Sequence, residues 1–490
     1  MKRAFAVLGG ALVVLLAVLV LRAALLSSRQ VEAEPVALLE VDGASIGQRL
    51  ALAVREQTIS HQDEGQLDVE AFRSFHTLLR AGYPLTHRAL ELEKVSDLSL
   101  LYTWQGSNPE LDPVLFAAHL DVVPVDPDSA AEWQHPPFEG VVADGVVWGR
   151  GTMDDKASVI CLLEAVERLL TEGFVPERTV LLAFGHDEEV GGEAGAVAIA
   201  ALLAERDTRL AWVLDEGGAV IQDFISQISS PLAVVGVAEK GYVSIGLSID
   251  APGGHSSAPP RHTAIGELAA AVVALESHPM PARLGGVTGL FLDSLAPELG
   301  FPARVVLANR WLFGPLLVAA LSRSQAMDAM LRTTTAVTIF QSGVKENLLP
   351  VRADAVANFR IHPDDSIDSV VEHVRRTIGD DRIDLDVGVR STPRPASIVS
   401  PVDSEAYLEL SRTIRSVFPG TAVLPYLVIA GTDARHYDSL TDRVYRFGPF
   451  VYGPEILRLA HGTNERISVE NLARAVQFFA ERIRSGAGPQ

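Results

Sequence analysis

The stretch Thr179-Val180-Leu181-Leu182-Ala183-Phe184-Gly185-His186-Asp187-Glu188-Glu189 decides how this chain is read. It opens as a short apolar run of strand length and stops abruptly in a glycine followed by ionisable residues. The same shape occurs twice more. Val114 to Ala118 runs into His119 and Asp121, and Ala211 to Leu214 runs into Asp215 and Glu216. Leu98 to Trp104 reads as a further strand, while Val69 to Ala81 and Ala157 to Glu172 have helical periodicity. Strands alternating with helices predict an α/β fold with its sheet covered on both faces. Ligands of such sheets sit beyond the carboxyl ends of the strands. Three strands ending in His, Asp and Glu are therefore the first functional signal.

Working outward, the pattern changes near Glu239. Val243 to Ile249, a helix from His262 to Ser277, strands Ala336 to Phe340 and Ala353 to Ile361, a helix Ile367 to Ile378 and a strand Ile383 to Val389 follow in the order β-α-β-β-α-β. That order predicts a ferredoxin-like α+β module. Residues 279–332 interrupt it with apolar, helical-looking sequence, including Trp311-Leu312-Phe313 and Leu316 to Leu321. After Pro393 the α/β pattern resumes. The expected organisation is a catalytic domain in two parts, 47–238 and 393–485, with a smaller domain, 239–392, inserted between them.

The chain begins Met1-Lys2-Arg3 and then runs apolar from Ala4 to Leu21. That length suits a spanning helix better than the ~7–15-residue core of a cleaved signal. Leu25-Leu26-Ser27-Ser28-Arg29 is also a poor cleavage site. Residues 1–29 are thus expected to be a signal-anchor, with secretion or periplasmic release after cleavage as the alternative. Residues 30–46 are expected to be a linker. Lys2 and Arg3 hold the cytosolic side, which places the rest of the chain on the exported side.

Of 490 residues, 41 are Lys or Arg and 62 are Asp or Glu, a net charge of −21 that argues against a nucleic-acid partner. One cysteine, Cys161, excludes an intramolecular disulfide and any thiolate metal cluster. A metal would have to be held by His, Asp and Glu. The sequence offers His119-x-Asp121, Asp154-Asp155-Lys156, Glu188-Glu189, Asp215 and, far downstream, His461. This is the donor set that a two-metal hydrolytic centre requires.

Four motifs carry a specific resemblance: Ala118-His119-Leu120-Asp121, Gly149-Arg150-Gly151-Thr152-Met153-Asp154-Asp155-Lys156, Gly185-His186-Asp187-Glu188-Glu189, and Gly253-Gly254-His255-Ser256. Over about residues 50 to 485 the chain resembles the aminoacylase/carboxypeptidase family of di-zinc metallopeptidases. Leu214-Asp215-Glu216-Gly217-Gly218, Glu346-Asn347-Leu348-Leu349-Pro350 and Gly431-Thr432-Asp433-Ala434-Arg435-His436-Tyr437 resemble its carboxypeptidase S branch. The secreted N-fatty-acyl-amino-acid synthase/hydrolase belongs to that same branch. The resemblance implies a zinc-peptidase catalytic domain with a mixed sheet, and an inserted lid/dimerisation domain through which a homodimer would form.

By the same resemblance, two Zn²⁺ per chain are implied, with Co²⁺ or Mn²⁺ as substitutes. His119, Asp154 and Asp215 would hold one ion, and Asp154, Glu189 and His461 the other. Glu188 would be the general base, Asp121 would orient His119, and His255 would donate to the oxyanion. Arg360, Arg435 and Asn347 would bind the substrate, a small peptide or an N-acyl amino acid. The implied reaction is hydrolysis of an amide or peptide bond next to a free carboxylate, releasing an amino acid. Two alternatives stand beside it: an N-fatty-acyl-amino-acid hydrolase/synthase, and an inactive membrane-tethered binding module.

Overall fold

In the computed structural model, which describes residues 2–37, 41–224, 228 and 230–489, strand Val180–Gly185 is buried along its whole length. It pairs in parallel with Val114–His119, which pairs in parallel with Trp212–Asp215, and that strand pairs in parallel with Val444–Arg446. Ser99–Trp104 and Glu91–Val95 add antiparallel strands on one side. Leu232–Glu239 follows on the other side, with Ala422–Val428 parallel to it. The result is a mixed ten-stranded sheet.

Alternation along each strand explains why both faces are covered. Val114, Phe116, Ala118, Val180, Leu182 and Phe184 enter a core shared with helices Gly43–Arg55, Lys156–Thr171 and Val469–Ala487. The residues between them, Leu115, Ala117, Leu181 and Ala183, face the opposite side and pack on helix Ala196–Glu205. Strands buried on both faces read as continuous apolar runs, which is the pattern that marked them in the sequence.

A second, four-stranded sheet has the order Thr334–Ser342, Arg352–Ile361, Gly241–Asp250, Asp384–Val387, with every neighbour antiparallel. Counted along the chain that order is 2-3-1-4, the ferredoxin-like arrangement expected from the sequence. Helices Ala264–Ser277 and Ile367–Ile378 share its core.

Two expectations change. The linker is shorter than 30–46, because helix Gly43–Arg55 starts inside it, capped by the Asp42 side chain on the Ser45 N–H. Residues 38–40 of that linker lie outside the described residues. The segment 279–332 is helical, but its buried face packs on the large sheet. Phe291, Leu292 and Leu295, spaced to fall on one side of helix Gly286–Leu295, meet Val234 and Leu424.

The chain crosses between the sheets twice, side by side. Outward it passes Glu239-Lys240-Gly241, and it returns through Arg394 to Ser397. The Glu239 N–H donates to Ser397 Oγ at 2.9 Å, and the Ser397 N–H donates to the Glu239 carbonyl at 3.1 Å. A Cβ on Gly241 would lie 2.5 Å from the main chain of Arg394 to Ala396, so only glycine permits this approach. The Glu239 carboxylate is fully buried against Arg446 at 3.0 Å and Arg435 at 3.1 Å, and accepts from Thr432 Oγ1 at 2.8 Å.

Replacing Glu239 with alanine strands the buried Arg446 without its carboxylate. The expected cost is about 3–5 kcal/mol of stability, read as a lowered thermal midpoint in calorimetry. A loss below about 1 kcal/mol, the scale of an exposed pair, would contradict this view of the junction.

Candidate metal centre and active site

His119 is the last residue of its strand and lies opposite Gly185, the last residue of the neighbouring one. Its ring is buried. Nε2 lies 2.8 Å from Asp154 Oδ1, and Nδ1 lies 3.0 Å from the Asp121 carbonyl and 3.3 Å from the Asp121 carboxylate. The buried Asp121 carboxylate also accepts the main-chain N–H groups of Glu188 (3.2 Å) and Glu189 (3.1 Å). One side chain thus fixes the imidazole to the loop that carries both glutamates, leaving Nε2 as the ring nitrogen that faces the cluster.

Asp154 arrives on the tight turn that precedes helix Lys156–Thr171. Gly149 in that turn has φ +144°, and a Cβ there would press within 2.5 Å of Val54. His461 comes from a loop three hundred residues downstream, tied to the same turn by a buried ion pair. Arg150 pairs with Glu465 and donates to the His461 carbonyl at 3.0 Å, while Glu465 also accepts the Met153 N–H at 2.8 Å. His461 Nε2 then lies 3.0 Å from Asp154 Oδ2 and 3.2 Å from Glu189 Oε1. Lys156 points away from this cluster and donates to the Ala53 and Glu56 carbonyls at 2.9 and 2.5 Å, bracing the turn from behind.

Three sets of donor atoms, each within 4.8 Å of one another, emerge among the described residues: His119, Asp154 and Glu216; His119, Glu188 and Glu189; and Asp154, Glu189 and His461. Asp154 touches both histidines through different oxygens. Imidazole and carboxylate donors at this spacing fit a divalent metal of the zinc class.

The expected ligand Asp215 and its neighbour Glu216 both lie at the strand end beside this cluster. Asp215 Oδ1 accepts the Glu216 N–H (2.9 Å) and Oδ2 the Ala434 N–H (2.6 Å), one donor on each oxygen. Glu216, the next residue, is the one that faces His119, at 3.7 Å. The sequence signal was the Asp-Glu pair at the strand end; it marked the place without separating the two carboxylates.

Electrostatics shows what this crowding costs. Burial pushes the Glu188 and Glu216 carboxyls well above the usual carboxylate range, and neighbouring carboxylates add to it. The Asp215 carboxyl is pushed up to about 6, again by burial first. Asp154 moves the other way: hydrogen bonds from His119 and His461 overcome its burial and lower its pKa. His461 is raised to about 10, chiefly by its bonds to Asp154 and Glu189. Without a cation, protons hold the cluster together.

The residues expected to bind substrate do not converge equally. Arg435 is committed to Glu239 and donates to the Pro395 carbonyl at 2.8 Å. Arg360 lies 4.9 Å from the centre of the Tyr242 ring, stacked over it. His255 is exposed on the short ribbon Gly254–His255, paired with Leu348–Leu349, and Asn347 sits beside it, accepting the Ser256 N–H at 3.2 Å. Neither His255 nor Asn347 touches the carboxylate cluster. Arg394 escaped the sequence reading. It makes no ion pair among the described residues, and its guanidinium lies 3.3 Å from where a Gly191 side chain would begin, beside the glutamate loop. It is also close enough to Arg360 and Arg435 to lower the affinity of each for its proton, although burial is the larger cause.

The model of peptidase family M20/M25/M40 matches residues 115–485. The chain belongs to this family. Among curated M20/M25/M40-type relatives, it is 40% identical over 444 residues to the probable carboxypeptidase S-like 2 of Dictyostelium discoideum, covering 90% of this chain and 85% of that protein. It is likewise 40% identical over 452 residues to the N-fatty-acyl-amino acid synthase/hydrolase PM20D1 of Mus musculus, covering 91% and 88%. The fold matches the M20 family metallo-carboxypeptidase Sso-CP2 of Sulfolobus solfataricus, with a TM-score of 0.65 at 18% identity over 91% of this chain and 99% of that one. This M20/M25/M40 chain is therefore a metal-dependent enzyme that hydrolyses peptide or linear amide bonds.

Two outcomes follow for the M20/M25/M40 centre. Zinc must displace the proton that His461 otherwise keeps up to about 10. Affinity should therefore rise with pH between 6 and 8, by about tenfold per unit for each proton displaced. Calorimetry in buffers of different ionisation enthalpy should record protons released on binding; a pH-independent affinity would contradict the assignment. Glu465→Gln, which loosens the His461 loop, should weaken zinc binding by about 10–100-fold, and an unchanged affinity would remove Glu465 from the support of the site.

Proposed function

We propose that the centre holds two zinc ions and cleaves an amide bond next to a free carboxylate, releasing an amino acid. The observation that carries the carboxylate preference is Arg394, a guanidinium without an anionic partner among the described residues, beside the Glu188–Gly192 loop. Only Arg offers a planar fork matched to a carboxylate. Arg394 is favoured over Arg435 because Arg435 already serves Glu239. Arg360, stacked on Tyr242 nearby, adds positive field.

In this reading, Asp154 is the shared ligand, with His119 and Glu216 on one side and Glu189 and His461 on the other. Bound zinc would supply an acidified water and polarise the scissile carbonyl. Glu188, one residue before Glu189 and beside His119, takes the proton of the attacking water and passes it to the departing amine nitrogen. Asp121 keeps the His119 ring and the Glu188 main chain in register during this transfer. Glu188→Gln should keep its zinc and lose about 10²–10⁴-fold in kcat. An active, zinc-replete variant would dismiss Glu188 as the base.

His255, away from the cluster, is proposed to complete the oxyanion site from a second copy of the chain. Strand Thr334–Ser342 is an unpaired edge of the small sheet, which is where a second copy would add. A fully active monomer in light scattering would contradict this.

A second reading keeps the same chemistry with a long acyl group, as the name of the PM20D1 relative indicates for that protein. A panel of dipeptides, N-acetyl and N-oleoyl amino acids separates the two. Preference for N-oleoyl substrates selects the fatty-acyl reading, and preference for dipeptides selects the carboxypeptidase reading. Arg394→Met should lower kcat/KM for either class by about 10–100-fold, mainly through KM. Equal loss on amides that lack the carboxylate would refute its role.

Helix Lys2–Ala24 is long and apolar enough to cross a membrane. We propose that it remains as an anchor with the enzyme on the exported side. A mature protein that begins after about residue 26 would replace this with secretion.

A further inference from the structure

The apolar insertion contains two short helices, Phe301–Ala308 and Arg310–Leu321, bent by 110° at Asn309. Helix Arg310–Leu321 is apolar almost throughout, yet Leu317 is its one buried residue. Trp311 is 59% exposed, Leu316 64%, Phe301 47% and Leu312 40%. Among the described residues, nothing covers these side chains.

What lies beside them is the N-terminal helix. Helix Lys2–Ala24 packs directly on Phe301–Ala308. The buried Asn309 side chain donates to the Leu19 carbonyl at 3.1 Å and to the Val305 carbonyl at 2.8 Å. Arg22 Nε donates to the Ala308 carbonyl at 3.2 Å, at the end of the first short helix. The bend between the two helices is thereby satisfied by side chains, as main chain turning within an apolar layer must be.

Depth follows from this contact. Leu19 lies five residues before the helix end at Ala24, so the bend sits roughly 7–8 Å below that end. Helices lying in a bilayer interface bury their apolar faces by about 5–10 Å. A lipid layer that surrounds the N-terminal helix at the level of Leu19 reaches the bend at Asn309 and Trp311 beside it, whose indole N–H donates to Asn309 Oδ1 at 3.3 Å.

Charge points the same way. The chain carries −21, but between Leu299 and Met327 it has Arg304, Arg310 and Arg323 and no carboxylate. Between Met1 and Val31 it has Lys2, Arg3, Arg22 and Arg29 and again none. Asp293, behind this surface, pairs with Arg310 at 2.7 Å and Arg29 at 3.5 Å. Glu298 also borders this surface, accepting from Ser28 Oγ at 2.8 Å, while the two apolar segments themselves carry only basic charge, which suits anionic headgroups.

We propose that the helix pair Phe301–Leu321 is a second membrane element. It would enter one leaflet beside the N-terminal helix, with Trp311 at the level of the headgroups and upper acyl chains, and hold the catalytic domain against an anionic bilayer at two points. This rests on the anchored reading of the N-terminal helix.

The test reconstitutes the full-length enzyme in vesicles of phosphatidylcholine and phosphatidylglycerol, with or without acyl chains brominated near the glycerol. Of the five tryptophans, Trp104 and Trp212 are buried and Trp311 is the one this account places in lipid. Bromolipid should quench a part of the wild-type emission that is lost in Trp311→Phe, while both proteins float with the vesicles and hydrolyse substrate equally. Equal quenching of the two proteins, with both still floating, overturns the second element and leaves the anchor. A wild-type chain that does not float overturns the anchor and the second element together.

Discussion

Four carboxylates, Asp154, Glu188, Glu189 and Glu216, converge around two imidazoles at the ends of buried strands, and this concentration of negative charge is the constraint on which the rest of the structure depends. Left to themselves the groups would separate or take up protons, and the raised carboxyls of Glu188 and Glu216 express that tendency. They stay together because each is held from behind. Asp121 holds His119 and the glutamate loop through one carboxylate. Arg150 and Glu465 hold the His461 loop to the Asp154 turn. A divalent cation relieves the same repulsion that these braces resist, so the site and its metal are two halves of one electrostatic balance.

Much of this was legible in the sequence, for a physical reason. Strands covered on both faces must be apolar throughout, so the point where Val114 to Ala118 or Val180 to Phe184 stops is also where the chain emerges at the edge of the sheet. Ionisable residues placed there have nowhere else to point. The ferredoxin-like order of the second sheet was readable because Val243 to Ile249 and Ile367 to Ile378 carry clean strand and helix periods. What escaped was direction at the scale of one residue. Asp215 and Glu216 are adjacent carboxylates, and which one faces His119 depends on how the chain turns into Gly217-Gly218, with the Ala434 N–H claiming Asp215 from a distant segment. Arg435 lay in a matched motif, yet Glu239 binds it; Arg394 had no motif and makes no ion pair among the described residues. Partnership of that kind is set by tertiary contacts and leaves no mark in local sequence.

The two sheets communicate through a narrow place. Glu239, Lys240 and Gly241 lead out and Arg394 to Ser397 lead back, so the segment that binds Glu239 to Arg435 and Arg446 also positions Arg394 beside the glutamate loop. Lys240 reaches the other way, donating to the Ala329 and Arg332 carbonyls at the end of the helical insertion. The proposed carboxylate-binding Arg394, the junction between sheets and the end of the apolar insertion are therefore joined through these two adjacent segments.

Asp154 is the proposed carboxylate shared by two metals, the role on which the other ligand assignments hang. An anomalous difference map from crystals of the zinc-loaded enzyme, collected at the zinc edge, tests it. Two peaks roughly 3.5–4 Å apart, with Asp154 between them, His119 and Glu216 on one and Glu189 and His461 on the other, are the predicted result. A single peak, or two peaks with Asp154 bound to neither or to one alone, would contradict it.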